Sequence, residues 1–375
     1  MGVDSVAVLT RWLTDPGSRG FDLNRLVVLT SMTGDEHAAT GQLMTTHVLP
    51  LLRAHQVRDV QLSRAGQSTT AGYAVLDDSV TPMVMKMRGP WRLSDELRAT
   101  ATVPQVAHGR RLCSIRAKGE PLDAWIRDNI GPGYTHVLGF SADEQRRIDR
   151  DTNYTRNARR PYHPLAAWGW DRARARWTSP RHLQVRWQRS CCTYCPFALS
   201  NPTELADRWR HEPAAGAEAL ALEHTALACN PRSALFGRTS AHQFTAAHGL
   251  TTVLRHAANR RANAAWNLLE IRRVYTARTG TPERKGTAWR SVRRLATGDH
   301  AALRAELDHR AAAAGTAVAV DDLGIPRVWL QRAAPPYPAV EHLLALTTIG
   351  PLDKARPGFD RLWHSLTDQQ QLALF

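Results

Sequence analysis

Arg189-Ser190-Cys191-Cys192-Thr193-Tyr194-Cys195-Pro196-Phe197 is the stretch of the chain best equipped for chemistry. Two thiolates separated by two residues, as in Cys192 and Cys195, can grip one metal ion or cluster within a single tight turn, and the following proline helps fix that turn. One such pair cannot fill a four-coordinate site. Other ligands are needed; Cys191 adjoins the pair and Cys113 lies 78 residues upstream of Cys191. His182 and His211 are candidate mixed ligands, and Cys229 is held in reserve on an apolar helical stretch that suits a buried, inert thiol. The donor types admit an iron–sulfur cluster, zinc, or metal-free structural or redox cysteines.

A second set of residues suits phosphate. Gly2-Val3-Asp4-Ser5 runs directly into the apolar helix VAVLTRWL, and a helix start of this kind offers backbone N–H groups and the positive end of the helix dipole to an anion. An ordinary helix start capped by Asp4 or Ser5 fits the same residues. After one helix and one strand come Thr33, Gly34 and Glu36, set where a strand of an open α/β sheet presents its carboxyl end to ligands. Thr33 as a helix cap, with Glu36 completing a capping box, is the local alternative. Lys118 stands in an arginine-dominated stretch, where a compact ammonium suits phosphate as a point charge and an exposed surface lysine is the plain alternative. Glu144 and Arg147 follow Gly139.

Taken in order, these segments resemble the phosphoadenosine phosphosulfate reductase family of the pyrophosphate-loop, or adenine nucleotide alpha hydrolase, superfamily. Gly2 to Ser5 resembles the end of the family's Ser-Gly-Gly-x-Asp-Ser loop, and Ser31 to Glu36 its Asp-Thr-Gly-x-Glu strand end, with Met32 in place of aspartate. Arg111-Leu112-Cys113-Ser114 through Lys118 is similar to its Arg-x-Cys-Thr segment with a lysine five residues on. Gly139, Glu144 and Arg147 resemble the segment after that, and Tyr162 to Trp170 resembles the approach to the cysteines. The resemblance covers about residues 1 to 200. It implies ATP or a related adenine nucleotide held by Gly2, Val3, Asp4, Ser5, Thr33, Gly34 and Glu36, with Mg2+ accompanying it. It implies that Lys118 and Arg147 act on the phosphates, and that Cys113, Cys191, Cys192 and Cys195 hold a [4Fe-4S] cluster, with zinc as the alternative.

Met1 alone stands where the family has a strand and Ser-Gly, so either the reading frame begins upstream or the cradle is incomplete. No cysteine follows Cys229, so the thiolate that a sulfonucleotide reductase would use is missing. The resemblance then implies an adenylating ATP pyrophosphatase supporting sulfur transfer to nucleic acid, as in DNA phosphorothioation or tRNA thiolation, with a sulfur-donor protein as partner. The alternative is a nucleotide- or nucleic-acid-binding module without catalysis.

Positioning these groups requires a scaffold. The chain has 375 residues, 43% of them hydrophobic, enough for at least one full core. Short apolar strands alternating with helices predict an α/β fold, and the resemblance makes it a Rossmann-like parallel sheet with flanking helices over residues 1–200. The reading places a helix at Val3 to Leu13 and a strand at Arg25 to Thr30. A helix at Thr33 to Ala54 and strands at Asp59 to Ser63, Met83 to Met87 and Thr135 to Phe140 follow. A mainly helical C-terminal domain is expected over 201–375, broken by a hairpin at 317–330. The formal charge is +15, and 45 of the 49 basic residues are arginine, since only Lys86, Lys118, Lys285 and Lys354 are lysine. Arg156, Arg159, Arg160, Arg172, Arg174 and Arg176 interleave with Trp168, Trp170 and Trp177, a mixture able to stack bases and neutralise phosphates. No apolar run reaches membrane-spanning length and no secretory leader pattern is present, so the expected compartment is the cytoplasm.

Overall fold

A computed structural model of the chain describes residues 1–104, 106–107, 110–154, 158–183, 185 and 187–372. The fold is mixed α/β and divides into two compact units, Met1–Leu93 with Gln105–Cys195, and Ser94–Pro104 with Pro196–Phe375. Among the described residues no helix is long and apolar enough to cross a membrane.

In the first unit, α1 (Val3–Thr14) packs two apolar stripes in two directions. Val6, Leu9 and Leu13 meet Val28 and Met32, while Ala7, Val8 and Trp12 meet Leu165 and Trp170. The apolar run VVLTSM forms β1 (Val27–Met32), which pairs in parallel with β2 (Arg58–Arg64) from Val27↔Arg58 to Met32↔Ser63. A strand pairing with a parallel neighbour needs a crossover, and the helical segment Ala38–Leu43, π turn Met44–Val48 and helix Leu49–Ala54 supply it. One face of β2 sets Val60 and Leu62 against Trp125 and Ile126. Asp59, Gln61 and Ser63 alternate with these and are buried as well. A second parallel pair joins β4 (Thr135–Val137) and β5 (Arg160–Tyr162).

Met83 to Met87 is not a strand. Its main-chain N–H groups go to side chains, Met85 to Thr45 Oγ1 (3.0 Å) and Lys86 to Gln61 Oε1 (2.6 Å), which substitutes for a ladder. The strand beside β2 is β3 (Tyr73–Ser79), antiparallel, and its polar sequence YAVLDDS concealed it. A bidentate Arg58–Asp78 pair helps hold it in place (2.7 and 2.8 Å).

The second unit corrects the expectation of a mainly helical region. Its centre is a six-stranded antiparallel sheet in the order 319–320, 326–331, 339–347, 266–278, 281–298, 354–355. The hairpin Trp266–Arg278 and Thr281–Gly298, expected as helix, turns at Gly280, whose φ of +71° favours glycine. The helix Pro213–Cys229 covers one face, placing Leu227 and Cys229 against Leu269, Ile271 and Leu343. The helix His300–Ala313 covers the other, with Leu303 and Leu307 against Leu268 and Leu344. Ala339–Thr347 is also a strand where helix was expected, and the chain then closes on the helix Phe359–Leu372.

Candidate functional site

The helix start comes first. The cap position of α1 falls on Gly2, in extended conformation (φ −91°, ψ 170°), so neither Asp4 nor Ser5 caps it. A Cβ on Gly2 would meet open space, so the position does not require glycine. The demanding glycine is Gly139, just past β4, where a Cβ would lie 2.8 Å from Ser5 N and 2.9 Å from Asp4 C. Backbone therefore approaches backbone at the first turn of α1, which only glycine permits.

A charged network borders that turn. Arg172 Nη2 lies 3.5 Å from Asp4 Oδ2 and 2.9 Å from Glu144 Oε1, and Glu144 Oε1 also accepts from Arg147 Nη1 at 2.5 Å. Burial pushes the Asp4 carboxyl above its usual range, and Arg172 offsets only part of that. For Glu144, burial is the largest influence, but Arg147 and Arg172 together hold the carboxyl below its usual range. Asp4 Oδ1 is buried without a hydrogen-bond partner. Arg147 also lies over the Phe140 ring at 4.2 Å, so the side chain is braced.

The second half of the site forms where β1 ends. The helix expected from Thr33 begins at Ala38, because Thr33 to Glu36 makes a turn of its own. Gly34 has φ +85°, and a Cβ there would strike Arg92 Cγ at 2.5 Å. Glu36 is buried, and its Oε1 accepts from Thr33 N at 3.0 Å while lying 3.2 Å from Lys118 Nζ. Glu36 Oε2 is buried without a partner. Burial works against both charges, yet each holds the other: Glu36 stays below the usual carboxylate range and Lys118 above the usual ammonium value. Lys118 belongs to a π turn (Ile115–Gly119) tied to β1 by the bond from Ser31 Oγ to Ala117 O (2.8 Å). The α-amino group of Met1 lies near both, its pKa lowered to about 6 by burial and then by Lys118, so the helix start and the Lys118–Glu36 pair are neighbours.

The cysteine segment docks on this turn. Cys192 forms an antiparallel bridge with Glu36, Thr193 N donates to Asp35 O (2.9 Å), and Tyr194 Oη donates to Asp35 Oδ2 (2.7 Å). Cys192 Sγ and Thr33 Oγ1 share a hydrogen bond of 3.1 Å. Burial raises the Cys192 thiol well above its usual value, and raises Cys113, with Cys195 adding to both shifts. Cys191 is close enough to Lys118 to help raise it. Cys191, Cys192 and Cys195 share one segment, Cys195 acts electrostatically on Cys113, and the donor chemistry suits a thiolate-bound group. Among the described residues, however, no three His, Cys, Asp or Glu side chains are gathered as an ion site.

Other candidates fall elsewhere. Cys229 is buried in the second unit, and His211 Nδ1 lies 2.7 Å from Asp207 O within its own helix. The His182 side chain and Arg156 lie outside the described residues. The arginine–tryptophan mixture is divided: Arg159 and Trp170 are buried, while Arg160, Arg174, Arg176 and Trp177 are exposed. Arg159 pairs with Asp151 (2.6 Å), and Arg11 lies over Trp168 and Trp170, leaving Trp177 as the exposed ring. Arg172 belongs to the charged network at the start of α1; sequence reading missed that role, since one arginine among many carries no mark. Tyr194, which anchors the cysteine turn, was likewise unassigned.

No protein-family model, curated protein or solved structure matches the chain.

Proposed function

We propose that the first unit is an adenine-nucleotide site of the pyrophosphate-loop kind, within a Rossmann-like adenine nucleotide alpha hydrolase fold, and that it adenylates an acceptor. The observation that carries this reading is the meeting of Lys118 and the Thr33–Glu36 turn at the carboxyl end of parallel β1, beside a helix start that no side chain caps. Ligands of open α/β sheets sit at strand carboxyl ends, and helix starts favour phosphate.

In this reading the backbone of Gly2, Val3, Asp4 and Ser5 receives the β- and γ-phosphates, with Gly139 allowing the close fit. Thr33, Gly34 and Glu36 face the remainder of the nucleotide. Lys118 leaves Glu36 to meet phosphate, and Arg147 with Arg172 offsets charge on the departing pyrophosphate. Mg2+ entering with ATP would meet the unpartnered oxygens Asp4 Oδ1 and Glu36 Oε2. The acceptor oxygen bonds to the α-phosphorus as the bond to the β-phosphate oxygen breaks, which releases pyrophosphate and leaves an adenylated acceptor open to sulfur attack. Cys113, Cys191, Cys192 and Cys195 would hold a [4Fe-4S] cluster, or zinc in its place; such a group supplies a sulfur-rich centre. The basic chain makes nucleic acid the acceptor of choice, with a sulfur-donor protein as partner.

A non-catalytic binding module is the second reading, and the pairing of Lys118, Arg147 and Arg172 with protein carboxylates favours it. The two separate on pyrophosphate release from ATP, measured with and without nucleic acid. Adenylation predicts release that falls about 100-fold in Lys118→Ala, the scale seen when one transition-state donor is removed. ATP binding without release would select the binding module.

A further inference from the structure

The second unit contains a cavity of about 240 Å³ beneath the helices Pro213–Cys229, Ala241–Ala247 and Thr251–Ala262. Leu220, Leu227 and Leu254 give it apolar walls, and His224, His242 and Arg261 are the basic groups in its lining. Such a wall with few convergent polar groups is the usual form of a small-molecule site.

The polar groups are what make the cavity informative. His224 is only 8% exposed, yet neither ring nitrogen has a hydrogen-bond partner. Its ring stands edge-on to Trp266, 6.2 Å between centroids, which supports its orientation without satisfying it. A buried polar group left unpaired costs about 1–3 kcal/mol, so a donor or acceptor brought by a ligand would recover a deficit already present. Burial, followed by the nearby Arg261 charge, lowers the pKa of His224 to about 4 and holds that of His242 below its usual value. Both imidazoles are therefore neutral at pH 7.

Arg261 forms no ion pair or side-chain hydrogen bond among the described residues. Glu223, the acid in the lining, is turned to the main chain instead: its carboxylate accepts from Leu235 N (2.7 Å), Ala241 N (2.8 Å) and His242 N (3.4 Å). Asp321, which also acts on His224, is paired with Arg327 at 2.7 Å. The cavity thus combines a cation with no ion-pair partner among the described residues, an unsatisfied neutral imidazole and apolar walls.

We infer that this cavity is a binding site for a small apolar monocarboxylate, its carboxylate toward Arg261 and its hydrocarbon body against Leu220, Leu227 and Leu254. The size is appropriate, since a dry cavity of about 150 Å³ already holds benzene. The site is separate from the nucleotide reading and stands or falls without it.

The test is calorimetric titration of the full chain with benzoate, hexanoate and benzyl alcohol. It is paired with carbon–proton NMR of the histidine rings, assigned through His224→Gln. Benzoate or hexanoate should bind and move the His224 signal, benzyl alcohol should bind at least tenfold more weakly, and Arg261→Gln should erase that preference while circular dichroism shows the fold intact. No binding of either carboxylate by the folded protein would overturn the inference. So would benzyl alcohol binding as tightly as benzoate, or binding that leaves the His224 signal unmoved.

Discussion

Gly139 and Gly2 show how residue type and role separate. Gly2 begins the motif that drew attention to the N-terminus, yet its backbone angle suits any residue and its surroundings are open. Gly139 carries the steric burden, since any Cβ would press into the Asp4–Ser5 peptide. Gly139→Ala should therefore lower stability by about 1–3 kcal/mol, the usual cost of overpacking, and weaken ATP binding with it, whereas Gly2→Ala should leave stability within about 0.5 kcal/mol. Urea unfolding of the two variants checks both, and equal stability would show that the contact gives way freely. The residues at this scale were legible in part. Thr33 and Glu36 could be singled out by their place at the end of an expected strand, and Lys118 as a lone lysine in an arginine-dominated stretch. Arg172 could not, since its importance lies in meeting Asp4 and Glu144 across the fold.

Among the elements, the legible ones were those whose burial is written as a continuous apolar run or a clean helical stripe. The strand expected at Arg25 to Thr30 forms at Val27–Met32, and the helix expected at Val3 to Leu13 forms at Val3–Thr14. Two that escaped mix polar and charged residues into the strand. β3 presents Asp77 and Asp78, and the long hairpin 266–298 mixes arginine with apolar residues in a chain so rich in alanine and arginine that helix seemed the natural reading. Tertiary pairing overrode that local preference. The cysteine turn is a further case. The sequence shows the thiols, but only the fold shows that Thr193 and Tyr194 fasten them to Asp35, beside Glu36 and Lys118. If these cysteines hold a cluster, protein purified anaerobically should carry near-stoichiometric iron and sulfide, lost in Cys192→Ala and in Cys195→Ala. Zinc in their place, or no metal, would leave the thiols a structural role on this turn and remove the cluster from the proposal.

At the scale of the whole molecule, the two units divide different kinds of chemistry. The first collects charged groups at the end of a parallel strand pair. The second contains a cavity with apolar walls, lined also by Arg261, which forms no ion pair among the described residues. An excess of 15 positive charges spans the chain, but many arginines are committed to internal pairs, including Arg58–Asp78, Arg159–Asp151, Arg273–Glu341 and Arg327–Asp321. Charge alone therefore says less about partners than the site does. The most direct measurement is the dissociation constant for ATP with Mg2+ by titration calorimetry, comparing the natural chain with Lys118→Ala. A charged hydrogen bond is worth about 1.5–3 kcal/mol, so a nucleotide held by Lys118 should bind roughly 10- to 100-fold more weakly to the variant. Undetectable ATP binding by the natural chain, or equal affinity in a correctly folded Lys118→Ala protein, would contradict the assignment of this site.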